Sequence, residues 1–113
     1  MAFKNKVLPI PLSSIDSSTF TGAYQLLSAA AGIPNPCVML HMANHSSVAV
    51  TISYDGVTDH DFLLAEHERE LNFQTNANAQ NWAASLAQGT KIYVKAAAGL
   101  GSIYLSGFFI PQQ

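Results

Sequence analysis

The stretch "SSVAVTISYDG", residues 46–56, decides the fold, because apolar and small polar residues alternate along it. The larger apolar residues share one face of an extended chain and are Val48, Val50, Ile52 and Tyr54. A period of two with β-branched residues predicts a half-buried β-strand. Asp55-Gly56 follows this strand directly, and the dipeptide is a strong signal for the turn of a β-hairpin.

Further extended segments lie on both sides of this strand. "PCVMLHMAN" (36–44) precedes it and is predicted to end in a turn at Asn44-His45-Ser46. "HDFLLAE" (60–66) and "RELNFQTN" (69–76) follow it and predict two more strands.

A second hairpin is predicted near the C-terminus, in "GTKIYVKAAAGLGSIYLSGFF" (89–109). Ile92 and Val94 alternate with polar residues, so we expect them to face the core. Gly99 and Gly101 are predicted to form the turn of this hairpin.

Two segments are less regular. "NANAQNWAASLAQ" (76–88) fits a short helix that Gly89 would end, and it fits an irregular crossover equally well. Residues 16–32 combine an extended pattern with "LLSAAAG", which fits one helical turn.

The first twelve residues are predicted to form an extended arm, because Pro9 and Pro11 are unfavourable in a strand that pairs on both sides. The arm needs an apolar surface to lie against, either on its own domain or on a neighbouring subunit. Its predicted contacts between subunits are Phe3, Val7, Leu8 and Ile10.

Short strands with turn signals about every ten residues predict an all-β fold. We expect an antiparallel, jelly-roll-like β-sandwich of about six to eight strands. It would form a single domain over residues 13–113, preceded by the arm over residues 1–12.

The composition restricts the partners. Charged residues are 11% of the chain, against roughly 25% in a typical soluble domain. Such a surface suits a subunit packed against others, although a secreted binding module has a similar composition. Only five Lys and Arg residues are present, without a basic run, which argues against nucleic-acid binding.

The chain shows neither a signal peptide nor an apolar run of membrane-spanning length, because Pro9 and Pro11 interrupt its N-terminal apolar residues. We therefore expect it to be made in a cytoplasm, without secretion or membrane insertion. Cys37, the single cysteine, is predicted to be a small buried residue.

"SYDGVTDHDF" (53–62) concentrates aspartates in a charge-poor chain. Asp55, Asp59 and Asp61 lack the spacing of a calcium loop, so we interpret Asp55 and Gly56 as turn residues and the other two as solvated positions. "HEREL" (67–71) lacks the second histidine of a zinc-protease helix.

The other motifs with possible chemistry also have structural interpretations. "GLG" (99–101) lacks the third glycine of a dinucleotide-binding loop. His60 and His67 are expected on opposite faces, and His41 is expected in a core or an interface. We therefore predict no enzyme, and we assign no catalytic, cofactor-binding or metal-binding residue.

Two stretches together carry a resemblance to a known group of proteins. "VAVTISYDGVTDHDFLLAEHERELNF" (48–73) and "GTKIYVKAAAGLGSIYLSGFF" (89–109) resemble small β-sandwich structural proteins of tailed bacteriophage virions. The resemblance covers roughly residues 36–109 and rests on turn and core positions.

The resemblance implies a virion structural protein, with a capsid cement or decoration subunit as the first hypothesis. Its partners would be copies of itself, with a trimer as one candidate, and the major capsid or other virion proteins. A neck or tail adaptor is the alternative within this class.

A carbohydrate- or receptor-binding β-sandwich is the alternative from another class. Trp82 beside Gln80 and Asn81, or Tyr54 beside Asp55, could stack on a sugar. Trp82 also fits a core anchor, and binding to a glycan array would distinguish the two interpretations.

Overall fold

A computed structural model describes the backbone of residues 8–33, 37–72 and 87–109. Within these ranges the chain forms eight β-strands and one short 3₁₀ turn, and it contains no α-helix. The strands are β1 (Leu8–Asp16), β2 (Gln25–Leu26), β3 (Cys37–Ser46), β4 (Val50–Ser53), β5 (Asp61–Leu63), β6 (Glu68–Asn72), β7 (Tyr93–Lys95) and β8 (Gly101–Phe109). The 3₁₀ turn, Ser17–Thr19, follows β1 directly.

The strands form two four-stranded antiparallel sheets. Sheet A has the order β1-β8-β3-β6, and sheet B has the order β2-β7-β4-β5. The first strand thus pairs with the eighth, the second with the seventh, the third with the sixth and the fourth with the fifth. A long hairpin folded over into two sheets gives this order, which is that of a jelly roll. The predicted all-β, jelly-roll-like sandwich is confirmed.

The core lies between the two sheets. Alternate residues of the central strands point into it, as the pleat of a β-strand requires. Its fully buried side chains include Leu40, Met42, Ile52, Ile92, Val94, Ile103 and Leu105. The inward positions predicted for Ile52, Ile92 and Val94 are confirmed, because none of the three is measurably exposed.

Strand β1 includes the end of the segment that the sequence predicted to be an arm. Leu8, Pro9 and Ile10 pair with β8, so the boundary expected at residue 12 lies inside the first strand. Both prolines are tolerated because β1 is an edge strand, which needs backbone donors on one side only. Pro11 lies in a β-bulge between the pairs Ile10–Gly107 and Ser13–Leu105. Phe3 and Val7, two of the predicted subunit contacts, lie outside the described residues.

The predicted hairpin at Gly99 and Gly101 is wrong. Strand β7 belongs to sheet B and β8 to sheet A, so residues 96–100 cross between the sheets. The glycines allow a close approach at this crossing. Gly101 has a φ of 103°, and a Cβ there would lie 2.0 Å from the carbonyl oxygen of His45. The helix weighed for residues 76–88 falls mostly outside the described residues.

The turn predicted at Asn44-His45-Ser46 is also wrong, because β3 continues to Ser46. Asn44 is completely buried at this end of the sandwich. Its amide Nδ2 donates to the carbonyl oxygens of Val48 at 2.8 Å and of Leu63 and Leu64 at 3.2 Å each. Its Oδ1 accepts from the backbone N–H of Ser46 at 3.1 Å. One side chain therefore joins β3, the β3–β4 connection and the end of β5.

Candidate functional site

The 54–60 loop, which joins β4 to β5, contains the aspartate-rich stretch. Asp55 Oδ1 accepts hydrogen bonds from the backbone N–H groups of Thr58 at 2.7 Å and Val57 at 2.8 Å. The Ser53 hydroxyl donates to the same oxygen at 2.9 Å. These bonds, those from Thr58 and Val57 first, lower the pKa of Asp55 well below its ordinary value. Asp55 therefore acts as a charged cap that fixes the loop.

Gly56 provides the second constraint on the loop. Its φ of 79° lies in the left-handed region, and a Cβ would lie 3.2 Å from the Tyr93 ring. The loop therefore folds back onto the outer face of sheet B instead of projecting as a short tip. The structure places both predicted turn residues, Asp55 and Gly56, in a loop between two neighbouring strands.

Asp59 lies in a polar cluster on the same outer face. The Tyr24 hydroxyl donates to its carboxylate, and Lys95 Nζ lies 3.0 Å from Oδ1. Lys95 Nζ also lies 4.5 Å from the centre of the Tyr24 ring. The bond from Tyr24 and then that from Lys95 lower the pKa of Asp59, and the bond to Asp59 raises the pKa of Lys95. Asp59 is therefore exposed, as the sequence predicted, and it is also a partner in the loop–sheet contact.

Asp61 is also engaged, at the edge of the sandwich. Its Oδ2 lies 3.3 Å from Arg69 Nη1, which comes from β6 in the other sheet. Its Oδ1 accepts from the backbone N–H of Phe62 at 2.8 Å. This carboxylate therefore links strand β5 of sheet B to strand β6 of sheet A.

The histidines occupy separate places. His60 Nδ1 accepts from the Tyr54 N–H at 3.0 Å, and His67 Nδ1 lies 2.8 Å from the Ala65 carbonyl oxygen. His41 lies on the outer face of β3, and its Nε2 is 2.9 Å from Glu68 Oε1. His45 Nδ1 lies 3.8 Å from Glu66 Oε2 on the same sheet. Each is paired locally.

The described residues contain no group of three or more His, Cys, Asp and Glu side chains that could hold a metal ion. They also contain no helix that is long and apolar enough to cross a membrane.

A cleft of about 470 Å³ opens between β1 and the connections that flank β2 and β7. The described residues of its lining carry no charged side chain and are Ile10, Pro11, Ser13, Ser28, Ala29, Ala31, Gly32, Ile33, Gln88, Gly89 and Leu105. The Ser28 hydroxyl already accepts from the N–H of Ile92 at 3.2 Å. The cleft is thus suited to neutral, apolar groups.

Exposed apolar side chains are the other notable surface feature. Among the described residues the large ones are Leu12, Val57, Phe62, Leu64, Leu100 and Phe108. Phe62 and Leu64 are 57% and 49% exposed and lie two residues apart along the edge strand β5 and its continuation. They therefore share the outer face of sheet B.

Sequence reasoning missed the Tyr24–Asp59–Lys95 cluster and the Asp61–Arg69 pair. The partners of Asp59 are 35 or more positions away in the chain, so no local spacing brings them together. Arg69 gave a weak signal, because it is a charged residue inside a predicted strand of a chain with few charges.

No model of a known protein family matches the chain, and neither a curated protein nor a solved structure shows significant similarity to it.

Proposed function

We propose that this chain is a structural subunit of a bacteriophage virion, with a capsid cement or decoration subunit as the first candidate. It would act by burying surface against copies of itself and against the proteins of the shell. The observation that supports the proposal best is the set of large exposed apolar side chains on a β-sandwich with few charged residues.

Association of subunits has to offset the free-energy cost of ordering the partners. Each large apolar side chain buried in a contact contributes roughly 1.5–3 kcal/mol, less the cost of ordering the partners. Phe62 and Leu64 lie together on one edge, and Leu100 and Phe108 lie elsewhere on the molecule. Such scattered contacts are individually weak, but they add up when many subunits bind a symmetric surface at once.

Two alternatives follow from the same surface. A neck or tail adaptor would use the same kind of contacts in a ring. A carbohydrate- or receptor-binding module would need an accessible aromatic ring, but Tyr54 is half-buried against His60, with their ring centres 5.4 Å apart. Trp82 lies outside the described residues.

The test is to locate the chain in purified virus particles from the source that encodes it. We expect its peptides to co-purify with intact particles, and an antibody against it to label the shell. The antibody label would distinguish a shell protein from a neck or tail protein. Absence from the particles, together with binding of the pure chain to a glycan array, would overturn the proposal.

A further inference from the structure

Within residues 8–33, 37–72 and 87–109, strand β5 is the last strand of sheet B and pairs with β4 alone. In an antiparallel pair, alternate residues point both of their backbone polar groups away from the neighbouring strand. Phe62 is such a residue, because it lies opposite Thr51, whereas the carbonyl oxygen that turns toward β5 is that of the next residue, Ile52, which accepts from the His60 N–H at 2.9 Å. The N–H of Phe62 donates to Asp61 Oδ1 at 2.8 Å, and its carbonyl oxygen accepts from Arg69 Nη2 at 3.5 Å.

These two side chains close the edge only weakly. The bond from Arg69 is at the long limit for a hydrogen bond. Arg69 Nε is buried, and it has no hydrogen-bond partner within the part of the chain that the structure describes. A buried donor without a partner costs free energy, which would be recovered if the guanidinium moved out to water.

We propose that the β5 edge is a strand-addition site for β5 of a second copy of this chain, kept closed in the isolated subunit by Asp61 and Arg69. The inference rests on the proposed role as a repeating structural subunit and identifies one of its contacts. In the paired state, Phe62 of each copy exchanges two backbone hydrogen bonds with Phe62 of the other. The two β5 strands then run antiparallel and join both B sheets into one.

The neighbouring backbone groups favour a short, self-complementary contact over a long bound peptide. The carbonyl oxygen of Leu64 already accepts from Asn44 and His67, and the N–H of His60 already donates to Ile52. Phe62 is therefore the residue of β5 whose N–H and carbonyl oxygen are bonded by side chains. An incoming strand could replace both of these bonds. Phe62 supplies both a donor and an acceptor. Across a two-fold axis, Phe62 of each copy can therefore bond to both backbone groups of Phe62 in the other copy.

Side chains and charge also fit a second copy. Phe62 and Leu64 are exposed on the face beside the edge, where cross-strand partners of the second copy would cover them. Each copy brings one carboxylate, Asp61, and one guanidinium, Arg69, to the axis. The charges at the junction therefore balance, and Asp61 of one copy can pair with Arg69 of the other.

The experiment measures self-association of the full chain by sedimentation equilibrium. Arg69→Ala removes the closing side chain, and Lys91→Ala removes the same charge from an exposed position away from β5. We expect Arg69→Ala to dimerise at least about tenfold more tightly than the wild type, and Lys91→Ala to match the wild type. Adding Phe62→Asp to Arg69→Ala places two more negative charges beside the two Asp61 carboxylates, which Arg69 no longer balances, and should restore the monomer.

A folded Arg69→Ala chain that is no more associated than the wild type would overturn the proposal, as would a dimer that survives Phe62→Asp. If circular dichroism shows that Arg69→Ala does not fold, Phe62→Cys in the wild-type chain replaces it. An oxidised dimer should then form faster than with Leu100→Cys, a control at another exposed apolar position. Equal rates would contradict the proposal. These results concern the isolated chain, so they can fail while the chain is still found in virus particles, and the reverse also holds.

Discussion

Asn44 stabilises one end of the sandwich, because its single side chain bonds to four backbone groups. We expect Asn44→Ala to lower the free energy of unfolding by about 2 kcal/mol or more, since the buried bonds to the Leu63 carbonyl oxygen and the Ser46 N–H are lost. The carbonyl oxygens of Val48 and Leu64, in contrast, keep bonds from Ser46 Oγ and the His67 N–H. Urea denaturation measures the change.

His45→Ala is the control for Asn44, because His45 is the next residue and faces solvent. Its loss should cost no more than about 1 kcal/mol. An equal loss of unfolding free energy in the two variants would mean that the Asn44 side-chain amide contributes little. Each substitution would then act by disturbing strand β3.

Gly101 and Gly22 illustrate two different requirements for glycine, a positive φ and a lack of space for a Cβ. Both have positive φ, but a Cβ at Gly22 meets nothing within 4 Å, whereas one at Gly101 overlaps the backbone of His45 and Ser46. Gly22→Ala should cost about 1–2 kcal/mol from backbone strain alone. Gly101→Ala should cost at least about 3 kcal/mol more or prevent folding, because β3 would have to move. Thermal unfolding of both variants, in parallel, measures the difference.

Asp55 should make the fold sensitive to acid. Its pKa in the folded chain lies below its ordinary value of 3.8, so the folded state holds the proton less tightly than the unfolded state. Its contribution is fully present above about pH 4 and is lost as the pH falls through the lowered pKa. We therefore expect the stability difference between the wild type and Asp55→Asn to shrink from pH 6 to pH 3 in denaturation curves. A constant difference would contradict this role.

At the level of elements, the edge strands differ in how they are protected from pairing with other chains. Strand β1 carries two prolines and a bulge, and β5 is closed by the Asp61–Arg69 pair. These are distinct devices, because a proline excludes a pairing strand permanently, whereas an ion pair can open.

Truncation at the N-terminus should distinguish the start of β1 from the segment before it. Deleting residues 1–7 retains all of the described strand β1, Leu8–Asp16, so we expect this chain to keep a cooperative unfolding transition. Deleting residues 1–12 should cost at least about 2 kcal/mol more, since it also removes Ile10, which packs against the core. Equal stability of the two chains would place the edge of the domain where the sequence predicted it. Particle binding by the shorter deletion would separately test Phe3 and Val7 as contact residues.

Strand identity was predictable wherever one face of a strand is buried. The alternation around Ile52 and Val94 is a local signal, and it gave both the strands and their inward faces. Connections were not predictable in the same way. Gly99 and Gly101 look like a hairpin turn in the sequence, but which sheet the next strand joins depends on distant partners, here β1 and β3.

The surface clusters were the least predictable part of the site. Asp55 and Gly56 lie within a few residues of the groups they contact, so the sequence revealed them. Asp59 and Asp61 have partners brought close by the fold, Lys95 and Arg69, and the sequence suggested only that they were solvated.

For the whole molecule, the order of the strands makes the fold depend on its last element. Strand β8 lies inside sheet A, between β1 and β3, and contributes Ile103 and Leu105 to the core. A chain that stops at Leu100 should therefore lack the cooperative unfolding transition of the full chain in calorimetry. A folded, cooperative fragment would mean that sheet B can organise a core without it.

The position of β8 has a consequence during synthesis. A ribosome adds about 5–20 residues per second, and β1 is made well before its partner β8, because six other strands lie between them in the chain. For several seconds the nascent chain contains β1 and β3 but lacks β8, the strand that pairs with both. During this time the apolar residues of sheet B that would face sheet A stay exposed. Until residues 101–109 have left the exit tunnel, the chain is a good substrate for chaperones that bind unfolded apolar segments. Rare codons just before Gly101 should therefore reduce the soluble yield more than the same codons placed before β2.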